Sequence, residues 1–307
     1  MRQRQIRTAV ITGPTGAIGT ALCRELVLHD IHVIAVCRPG SSRTSAIPNH
    51  PLIRTVHCDI SRLAELPKLI GQKADCFYHF GWAHTIGPGR NDMLAQIANI
   101  RYTIDAVQAA HVLGCKVFVG AGSQAEYGRV EGLLKSDTFC NPENGYGIAK
   151  LCAGQMSRIE CQKLGMDHIW ARILSVYGPG DGPNTMISSV IRQLLDGQTP
   201  ALTAGTQQWD YLYSADAAKA FYLMGEHGIS GKTYVLGSGT AKALRDYVLA
   251  LRDAIDPALP LGFGQVPFGP LQVMHLQADI SQLQTDTGFT PETAFETGIR
   301  HTIESMK

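Results

Sequence analysis

The stretch Ala9-Val10-Ile11-Thr12-Gly13-Pro14-Thr15-Gly16-Ala17-Ile18-Gly19 passes from an apolar run through a glycine-rich turn into a segment with helical spacing. Residues 31–36 form a second apolar run after that segment. Strand, glycine turn, helix and strand in this order predict a β-α-β unit. In that setting, three glycines spaced by three are typical of a dinucleotide site, where a pyrophosphate approaches backbone amides and the positive end of the helix. The alternative is a tight strand-to-helix turn that binds no ligand.

The composition of the whole chain limits its class. Its 307 residues carry 27 Lys and Arg against 26 Asp and Glu, a formal net charge of +1 without a basic stripe, so neither nucleic acid nor an anionic membrane is expected as a partner. No apolar stretch reaches the roughly 18 residues of a membrane span. The eight cysteines form no CxxC pair or cluster, which predicts reduced thiols and a cytoplasmic location. The eleven histidines show no metal-ligand spacing, so no metal is expected.

The end of the second predicted strand bears on the choice of cofactor. An acidic residue there would hydrogen-bond a ribose 2′-hydroxyl and repel a 2′-phosphate, but the chain has Cys37. Arg38 and Arg43 follow as candidate phosphate partners, which favours NADP(H). Alternatively, both arginines are solvated loop charges and NAD binds through its other contacts. The residues expected to bind the cofactor in these two segments are Gly13, Thr15, Gly16, Ala17, Ile18, Arg38, Ser41, Ser42 and Arg43.

Three further strands alternate with helical patterns, which predicts a parallel sheet covered on both faces, with ligands beyond the carboxyl ends of its strands. After the third strand, Asp59 is expected either to accept a hydrogen bond from the adenine amino group or to cap a helix, and Ile60 lies beside it. After the fourth strand, Gly81 follows Phe80 and would let the cofactor lie against the backbone. The strands are predicted at residues 52–57, 75–80 and 116–119, and a long helix at residues 91–113.

A tyrosine and a lysine four residues apart, Tyr146 and Lys150, lie in the segment 141–150, which opens a helix predicted to continue to about residue 164. This spacing places both side chains on one helix face. A neighbouring ammonium favours the phenolate and lowers a tyrosine pKa from near 10 toward the range in which an acid–base catalyst works. Ser123, at the end of the fifth strand, can polarise the same substrate oxygen. A Tyr-x-x-x-Lys pair alone is a frequent accident on helices, but the glycine turn and Ser123 make it a strong indication of catalysis.

These residues resemble the extended short-chain dehydrogenase/reductase family, which contains nucleotide-sugar epimerases, dehydratases and 4-ketoreductases. The resemblance covers nearly the whole chain and includes the segments 171–180, 209–218, 279–281 and 288–291. It implies an α/β protein: a Rossmann-type doubly wound parallel sheet in residues 1–170 and an interleaved, smaller, mixed α/β substrate lobe in residues 171–307. It also implies a homodimer through the helices beginning near residues 91 and 146. The catalytic residues that it implies are Ser123, Tyr146, Lys150 and Asn99.

Departures from the family pattern narrow the expected activity. Dehydratases of the family carry Asp-Glu after the catalytic hydroxyl residue, but Gln124 and Ala125 stand there, so dehydration is not expected. Ser175 and Trp209 replace the asparagine and arginine that hold the substrate diphosphate in many members. The substitute anchor is one of Arg172, Lys232, Arg245 and Arg192, or the substrate is not a nucleotide sugar. The residues expected at the substrate are Trp82, His84, Gln124, Glu126, Arg172, Ser175 and Trp209, with Glu126 alternatively orienting its loop.

The reaction expected from these residues is the NADPH-dependent reduction of a 4-keto-6-deoxy sugar attached to a nucleoside diphosphate. Tyr146 gives the proton, Ser123 hydrogen-bonds the oxygen, and Lys150 holds the nicotinamide ribose and tunes the tyrosine. The nearest alternative is an NAD-dependent 4-epimerase, which oxidises and re-reduces one sugar with the same residues. A third hypothesis is a non-catalytic module that senses a dinucleotide and binds a protein partner, although such relatives commonly lose the serine, tyrosine or lysine.

Overall fold

The β-α-β unit predicted around the glycine turn is present in a computed structural model of the protein, which describes residues 4–307. Strand β1 (Thr8–Thr12) is almost wholly buried, and helix α1 (Ala17–Leu28) begins directly after the turn. Strand β2 (His32–Cys37) pairs with β1 in parallel. Val10 and Ile11 of β1 point to opposite faces of the sheet, and both are fully buried, so this continuous apolar run forms a central strand.

The rest of the described chain alternates strands and helices. Its further strands are β3 (Ile53–His57), β4 (Cys76–His79), β5 (Val117–Ser123), β6 (Leu133–Leu134), β7 (Asp167–Ile173), β8 (Ser175–Tyr177), β9 (Gln208–Trp209), β10 (Tyr211–Tyr213), β11 (Thr233–Leu236), β12 (Lys242–Ala243) and β13 (His275–Ala278). Its further helices are α2 (Leu66–Ile70), α3 (Met93–Leu113), α4 (Gly145–Lys163), α5 (Met186–Leu195), α6 (Ser214–His227), α7 (Leu244–Ile255), α8 (Ser281–Thr287) and α9 (Phe295–Glu304).

Seven strands form one sheet in the order β3-β2-β1-β4-β5-β7-β11, and every neighbouring pair in it is parallel. The chain moves outward from β1 to β3 and then returns past β1 to β4, so the strand order reverses between β1 and β4. At such a reversal a crevice opens beyond the carboxyl ends of the strands, where doubly wound sheets bind ligands. The predicted fold class, a Rossmann-type doubly wound parallel sheet, is confirmed.

Helices cover both faces of this sheet. On one face, α1 and α6 pack over the strands through fully buried side chains that include Leu22, Leu26 and Phe221. On the other face, Val107 of α3 belongs to the same buried cluster as Phe118 of β5. Burial of a side chain of this size stabilises the fold by about 1.5–3 kcal/mol. The two apolar layers therefore fix the strand ends that carry the crevice.

The C-terminal part of the chain forms a smaller mixed lobe, as predicted. Helices α5, α7 and α9 pack around an aromatic cluster that includes Tyr177, Tyr247 and Phe295. Strands β8 and β10 pair in parallel, and a four-stranded sheet has the order β12-β9-β13-β6. The main sheet also takes its edge strand β11 from this half of the sequence. The division of the chain at residue 170 stays a prediction.

Several predicted elements have different limits in the structure; β5, for example, extends four residues beyond its predicted end to Ser123. The helix expected from the segment 141–150 begins only at Gly145, because Asn144 caps it by accepting a hydrogen bond from the Gly147 amide at 2.8 Å. Residues 208–213, which overlap the start of the resembling segment 209–218, form two short strands, β9 and β10, that are separated at Asp210. The buried Asp210 carboxylate accepts hydrogen bonds from backbone amides of two other segments, one of them that of Ala278 at 3.0 Å. A buried carboxylate needs such donors, and the strand breaks where they are supplied.

Candidate active site

The glycine turn lies at the crevice between β1 and β4. Gly13 has a φ of +71°, which favours glycine, and a Cβ at this position would lie 3.0 Å from the backbone of Phe80. A Cβ at Gly19 would collide with the Gly13 carbonyl oxygen. Gly16 is the N-cap of α1 and supplies no side-chain cap to the first amides of the helix. The turn therefore fits the pyrophosphate of a dinucleotide.

A cleft of about 530 Å³ runs along these strand ends. Ten of the residues predicted to bind the cofactor line this cleft: Gly13, Thr15, Gly16, Arg38, Ser41, Arg43, Asp59, Ile60, Phe80 and Gly81. Their contacts with a cofactor stay predictions, but they share one continuous surface.

Some residues of this region differ from expectation. Ala17 and Ser42 are not among the residues that line the cleft, and Ile18 packs instead against the core below α1. The sequence analysis assigns no ligand to six other residues that line the cleft, namely Pro14, Val36, Cys58, Ser61, Ala83 and Tyr102. The signal for Tyr102 is its place three residues after Asn99, about one turn further along the same face of α3.

The two arginines after β2 differ in what they contact. Cys37 itself is buried, with 2% of its surface exposed, and burial raises the pKa of its thiol. Arg43 donates hydrogen bonds to the carbonyl oxygens of Thr15 at 2.7 Å and Gly180 at 3.0 Å, so it bridges the glycine turn and the loop after β8. Within residues 4–307 the Arg38 guanidinium has no hydrogen-bond partner. Arg38 is therefore the better placed of the two for an anionic ligand.

Asp59 has one of its two predicted roles in this structure, that of a helix cap, while its contact with adenine stays a prediction. Asp59 Oδ1 accepts hydrogen bonds from the Ser61 amide at 2.9 Å and the Ser61 hydroxyl at 2.7 Å, which caps a short 3-10 turn. These hydrogen bonds hold the pKa of the Asp59 carboxyl below its usual range. Asp59 also lines the cleft, so capping does not remove it from the ligand surface.

Two elements bring three of the predicted catalytic residues together. Strand β5 ends at Ser123, and the first turns of α4 carry Tyr146 and Lys150. The Lys150 ammonium nitrogen donates a hydrogen bond to the Ala121 carbonyl oxygen at 2.6 Å and lies 5.8 Å from the centre of the Tyr146 ring. It lies 3.8 Å from the centre of the Trp82 indole. Trp82, predicted at the substrate, thus forms a wall of the cofactor cleft over Lys150.

The electrostatics of this group correct one sequence-based expectation. Burial raises the pKa of Tyr146 above its usual value, although a hydrogen bond from Ser123 and the positive charge of Arg90 act in the opposite direction. Burial also lowers the pKa of Lys150 to about 7, against the attraction of Glu126. The expectation that the pKa of Tyr146 is lowered is therefore wrong for this structure, because desolvation outweighs the hydrogen bond of Ser123 and the charge of Arg90.

Asn99 is a positioning residue and does not reach the tyrosine. Its side-chain amide donates to the Ala83 carbonyl oxygen and accepts from the Ala83 amide, both at 2.9 Å. Both ends of the Asn99 amide are used in this way, so its assignment as a catalytic residue is corrected. Gln96, one turn earlier, accepts a hydrogen bond from the Trp82 indole nitrogen at 3.0 Å. The face of α3 that carries Gln96 and Asn99 therefore holds Trp82 and Ala83, which follow β4.

Glu126 and Arg172 form a buried ion pair behind Ser123 and do not face the substrate side. Glu126 has no exposed surface, and its Oε2 lies 2.7 Å from the Arg172 Nε. Its Oε1 accepts hydrogen bonds from the Ser123 amide at 2.9 Å and the Trp170 indole nitrogen at 3.0 Å. The prediction that either residue binds substrate is therefore wrong, and the alternative that Glu126 orients its loop describes the contacts.

The remaining residues predicted to bind the substrate lie in different parts of the structure. Trp209 donates a hydrogen bond from its indole nitrogen to the Ser175 hydroxyl at 2.8 Å, so these two departures from the family pattern lie together. Gln124 lines a second cavity of about 340 Å³. His84 is exposed and has a φ of +58°. The roles of these four residues stay predictions.

The other three residues proposed to anchor the substrate diphosphate each contact a group of the protein itself. Lys232 precedes β11, at the amino edge of the sheet and opposite to the catalytic residues, and lies 2.7 Å from the Asp286 carboxylate. Arg192 donates to the Pro183 carbonyl oxygen at 3.0 Å, and the Arg245 guanidinium lies 4.4 Å from the centre of the Phe263 ring. Lys232 is therefore excluded as an anchor by its position.

Within residues 4–307, no helix combines the length and the apolar character that crossing a bilayer requires. In the same part of the chain, no three His, Cys, Asp or Glu side chains are grouped to hold a metal ion. All eight cysteines are free thiols.

The parallel sheet and the grouping of Ser123, Tyr146 and Lys150 at its carboxyl edge are typical of a short-chain dehydrogenase/reductase, and the comparison of sequences gives the family. The NAD dependent epimerase/dehydratase family matches residues 9–237, and the chain belongs to this family. It is an NAD(P)-dependent enzyme of the extended short-chain dehydrogenase/reductase type, as the sequence predicts.

Named relatives cover nearly the whole chain. A dTDP-glucose 4,6-dehydratase of Neisseria meningitidis is 24% identical, with 97% of this chain and 93% of that protein covered. YtcB of Bacillus subtilis, described as an uncharacterized UDP-glucose epimerase, is 24% identical, with 96% of both covered. Among solved structures, a UDP-N-acetylglucosamine 4-epimerase from Methanobrevibacter ruminantium has a TM-score of 0.88 at 21% identity and 99% coverage of both chains. A UDP-glucuronic acid 4-epimerase from Bacillus cereus in complex with NAD has a TM-score of 0.84 at 20% identity, covering 97% of this chain and 98% of that one.

Proposed function

We propose that the protein is a nucleotide-sugar 4-epimerase, which oxidises the carbon-4 hydroxyl of a nucleoside diphosphate hexose and reduces the ketone from the opposite face. The observation that carries this proposal is the convergence of Ser123, Tyr146 and Lys150 at the carboxyl edge of the sheet, beside the cleft. The 4-epimerases among the similar structures support it. The sequence alone favours an NADPH-dependent 4-ketoreductase and makes the 4-epimerase the alternative; we propose the reverse order.

Dehydration fits these residues poorly. The positions that carry an acid and a base in the family's dehydratases hold Gln124, a neutral amide that lines the second cavity, and Ala125, which is buried. Neither side chain exchanges a proton at neutral pH. The dehydratases among the relatives therefore point to shared ancestry of the fold and cofactor site rather than to their reaction.

The chain's own residues account for the proton movements of this reaction. Tyr146 accepts the proton of the substrate hydroxyl during oxidation and returns it during reduction. Ser123 hydrogen-bonds the same oxygen in both states and keeps it beside the phenol. Lys150, which donates a hydrogen bond to the Ala121 carbonyl oxygen, would hold the ribose of the cofactor. The nicotinamide, when bound, supplies the hydride acceptor and donor.

A specific observation supports a second candidate, the NADPH-dependent reduction of a nucleotide-linked 4-keto-6-deoxy sugar. Buried Cys37 occupies the position where an acid would select NAD, and the Arg38 guanidinium lines the cleft beside it. An arginine without another partner there suits a 2′-phosphate. A reductase uses Tyr146 and Ser123 in the same way but in one direction only.

Replacement of the tyrosine tests both candidates together. We expect Tyr146→Phe to lower hydride transfer by about 10²- to 10⁴-fold, the usual contribution of a positioned acid or base, with little change in dinucleotide affinity. Tyr102→Phe is the matched control, because Tyr102 lines the same cleft and is not one of the three residues that converge at the end of β5. Hydride transfer is followed by the absorbance of the reduced nicotinamide. Unchanged turnover in Tyr146→Phe would remove the tyrosine from either mechanism.

A second experiment separates the two candidates. An epimerase regenerates its cofactor in each cycle, so the purified enzyme should interconvert carbon-4 epimers of a nucleotide-linked hexose without net consumption of a nicotinamide. A reductase should consume one NADPH for each 4-keto sugar reduced and should leave hexoses unchanged. Stoichiometric loss of NADPH with a keto substrate, together with no interconversion of epimers, would reject the epimerase in favour of the reductase.

The assembly that we propose is a homodimer through α3 and α4. Leu94 and Ile97 of α3 are 80% and 60% exposed, and Ile148, Met156 and Ile159 share an exposed face of α4. The two helices pack against each other, and in the proposed dimer their exposed apolar side chains form one surface that a second copy covers with its own. Leu94→Glu together with Ile148→Glu should yield monomers in sedimentation. Leu28→Glu, an equally exposed change on α1, is the control and should leave the assembly as it is.

A further inference from the structure

A short 3-10 turn, Gly87–Asn91, carries an arginine onto the catalytic tyrosine. The Cζ of Arg90 lies 4.4 Å from the centre of the Tyr146 ring, within the distance of a cation–π contact. Arg90 is half-buried and also lines the 340 Å³ cavity that borders this end of α4. The sequence analysis does not single out this residue, since the arginine is 56 positions from its partner.

Several contacts hold the turn in this position. The Asn91 side chain accepts a hydrogen bond from the Gly145 amide at 2.9 Å, which ties the end of the turn to the start of α4. The Gln96 side chain donates to the Gly89 carbonyl oxygen at 2.9 Å. A Cβ at Gly145 would lie 3.0 Å from the Arg90 carbonyl oxygen, so the close approach of the two segments depends on that glycine. These contacts fix the backbone of the turn and therefore the position of Arg90 beside Tyr146.

The charged groups that face Tyr146 come from three elements. Arg90 comes from the turn, Lys150 from α4 and Glu126 from the 3-10 turn after β5. Glu126 is paired with Arg172 at 2.7 Å, which reduces its effect on the phenol. The Lys150 ammonium is further from the ring than Arg90, donates to a backbone carbonyl, and has a pKa lowered to about 7 by burial. A guanidinium keeps its charge throughout this pH range, so Arg90 is the permanent cation beside the phenol.

We propose that Arg90 positions the Tyr146 ring and stabilises its phenolate, so that Lys150 is not the only cation that prepares the acid–base residue. This inference rests on the proposed function in one respect, namely that Tyr146 is the acid–base residue. Arg90 acts through Tyr146 and is a positioning residue. In either direction of the reaction, its loss raises the pH at which Tyr146 changes protonation.

A direct titration tests the inference without a substrate. The protein is labelled with 3-fluorotyrosine, whose phenol ionises at lower pH than that of tyrosine, and the Tyr146 fluorine resonance is assigned by its absence in Tyr146→Phe. We expect Arg90→Met to raise the titration midpoint of this resonance by about one pH unit, as for removal of an opposite charge at this distance. Arg90→Lys should restore most of the shift. An unchanged midpoint in Arg90→Met would overturn the inference.

A matched control separates this effect from a general change in the cavity. Arg129 lines the same cavity but already pairs with the Glu143 carboxylate at 2.8 Å, so Arg129→Met should leave the Tyr146 midpoint unchanged. A shift of the same size in Arg129→Met would count against a specific role of Arg90. If Arg90→Met is not folded, as judged by its thermal unfolding, Arg90→Gln gives the same comparison with a neutral polar side chain.

Kinetics distinguish this role from a substrate anchor. If Arg90 acts through Tyr146, the pH profile of hydride transfer in Arg90→Met moves upward together with the fluorine midpoint. If Arg90 only holds the substrate, KM rises by tenfold or more with the same pH profile, and the inference fails. The failure of the proposed function has a different signature, because absence of turnover on nucleotide sugars leaves the fluorine titration of wild type and Arg90→Met interpretable.

Discussion

Removal of the buried carboxylate behind the catalytic serine is the perturbation with the clearest expected consequence. Glu126→Ala leaves the Arg172 guanidinium, whose side chain is 8% exposed, without its carboxylate. It also removes the acceptor of the Trp170 indole N–H and of the Ser123 amide. Breaking one side of a buried ion pair costs far more than the pair contributes, because the remaining charge stays desolvated.

The size of the effect follows from this environment. The loss of one partner of a buried pair costs about 3–5 kcal/mol of the free energy of unfolding. For a chain of this length, each kcal/mol corresponds to roughly 2 °C in Tm, so we expect Tm to fall by about 6–10 °C. Glu126→Gln should lie between wild type and Glu126→Ala, since its carboxamide oxygen can still accept while its charge is lost. Hydride transfer should fall in both variants, because the Ser123 backbone loses its anchor.

Thermal and urea unfolding measure this prediction, and two comparisons make it specific. Glu65→Ala removes the carboxylate of an exposed pair with Arg62, in which both side chains are about half or more exposed, and should leave Tm unchanged. The double variant Glu126→Leu with Arg172→Met replaces both charges by apolar groups and should recover much of the lost stability. A fall in Tm no larger than that of Glu65→Ala, or a double variant less stable than Glu126→Ala, would refute the reasoning about the buried charge.

Three further predictions concern single groups. Arg38→Ala should weaken NADPH binding by about 10- to 100-fold and leave NADH binding nearly unchanged in equilibrium titrations, since only a 2′-phosphate loses a charge-assisted partner; equal effects would argue against a phosphate site. Because burial lowers the pKa of Lys150 from 10.5 to about 7, the unfolded state binds the extra proton between these values, so wild-type Tm should rise relative to that of Lys150→Met as pH increases from 7 to 10. Burial likewise lowers the pKa of His168 from 6.5 to about 3, so stability is lost as pH falls from 6.5 to 3, and His168→Gln should show a shallower loss of Tm over this range.

The fold and the outline of the site follow from local sequence signals. The glycine turn, the apolar strands and the Tyr146–Lys150 spacing each depend on neighbouring residues, and the parallel topology brings their ends to one edge. Ser123 could be placed as well, because it follows directly after a strand. These are properties of short segments, so one sequence suffices to recognise them.

The contacts that decide the role of a side chain are not local. Glu126 and Arg172 are 46 positions apart, and Asn99 is 16 positions from the backbone that it holds. A charged or amide residue near a predicted site has the same sequence signature whether it faces the ligand or turns inward to satisfy a backbone group. The sequence therefore names Glu126, Arg172 and Asn99 as site residues, and only the packing of β5, β7 and α3 shows that they support the site.

Helix α3 illustrates how such support is organised. Gln96, Asn99 and Thr103 occur at spacings of three and four, so they share one face of the helix, and all three are buried. Gln96 holds Trp82, Asn99 holds Ala83, and the Thr103 hydroxyl lies 3.4 Å from a ring nitrogen of His79 at the end of β4. One face of α3 thus holds the segment after β4, and this segment places the Trp82 indole beside the Lys150 ammonium.

Burial keeps the histidine of this group neutral near neutral pH. His79 lies between two hydroxyls, with the Thr12 Oγ1 2.9 Å from its other ring nitrogen, and that same hydroxyl accepts a hydrogen bond from the Gly81 amide at 3.1 Å. Burial, reinforced by the nearby Lys150, lowers the pKa of His79 to about 3. A neutral ring has one donor and one acceptor and can satisfy one hydroxyl on each side, whereas an imidazolium has two donors and no acceptor. The floor of the cleft at Gly81 is therefore held by hydrogen bonds that run through a neutral ring, and the low pKa of His79 keeps it out of the acid–base chemistry near neutral pH that its closeness to Lys150 would otherwise suggest.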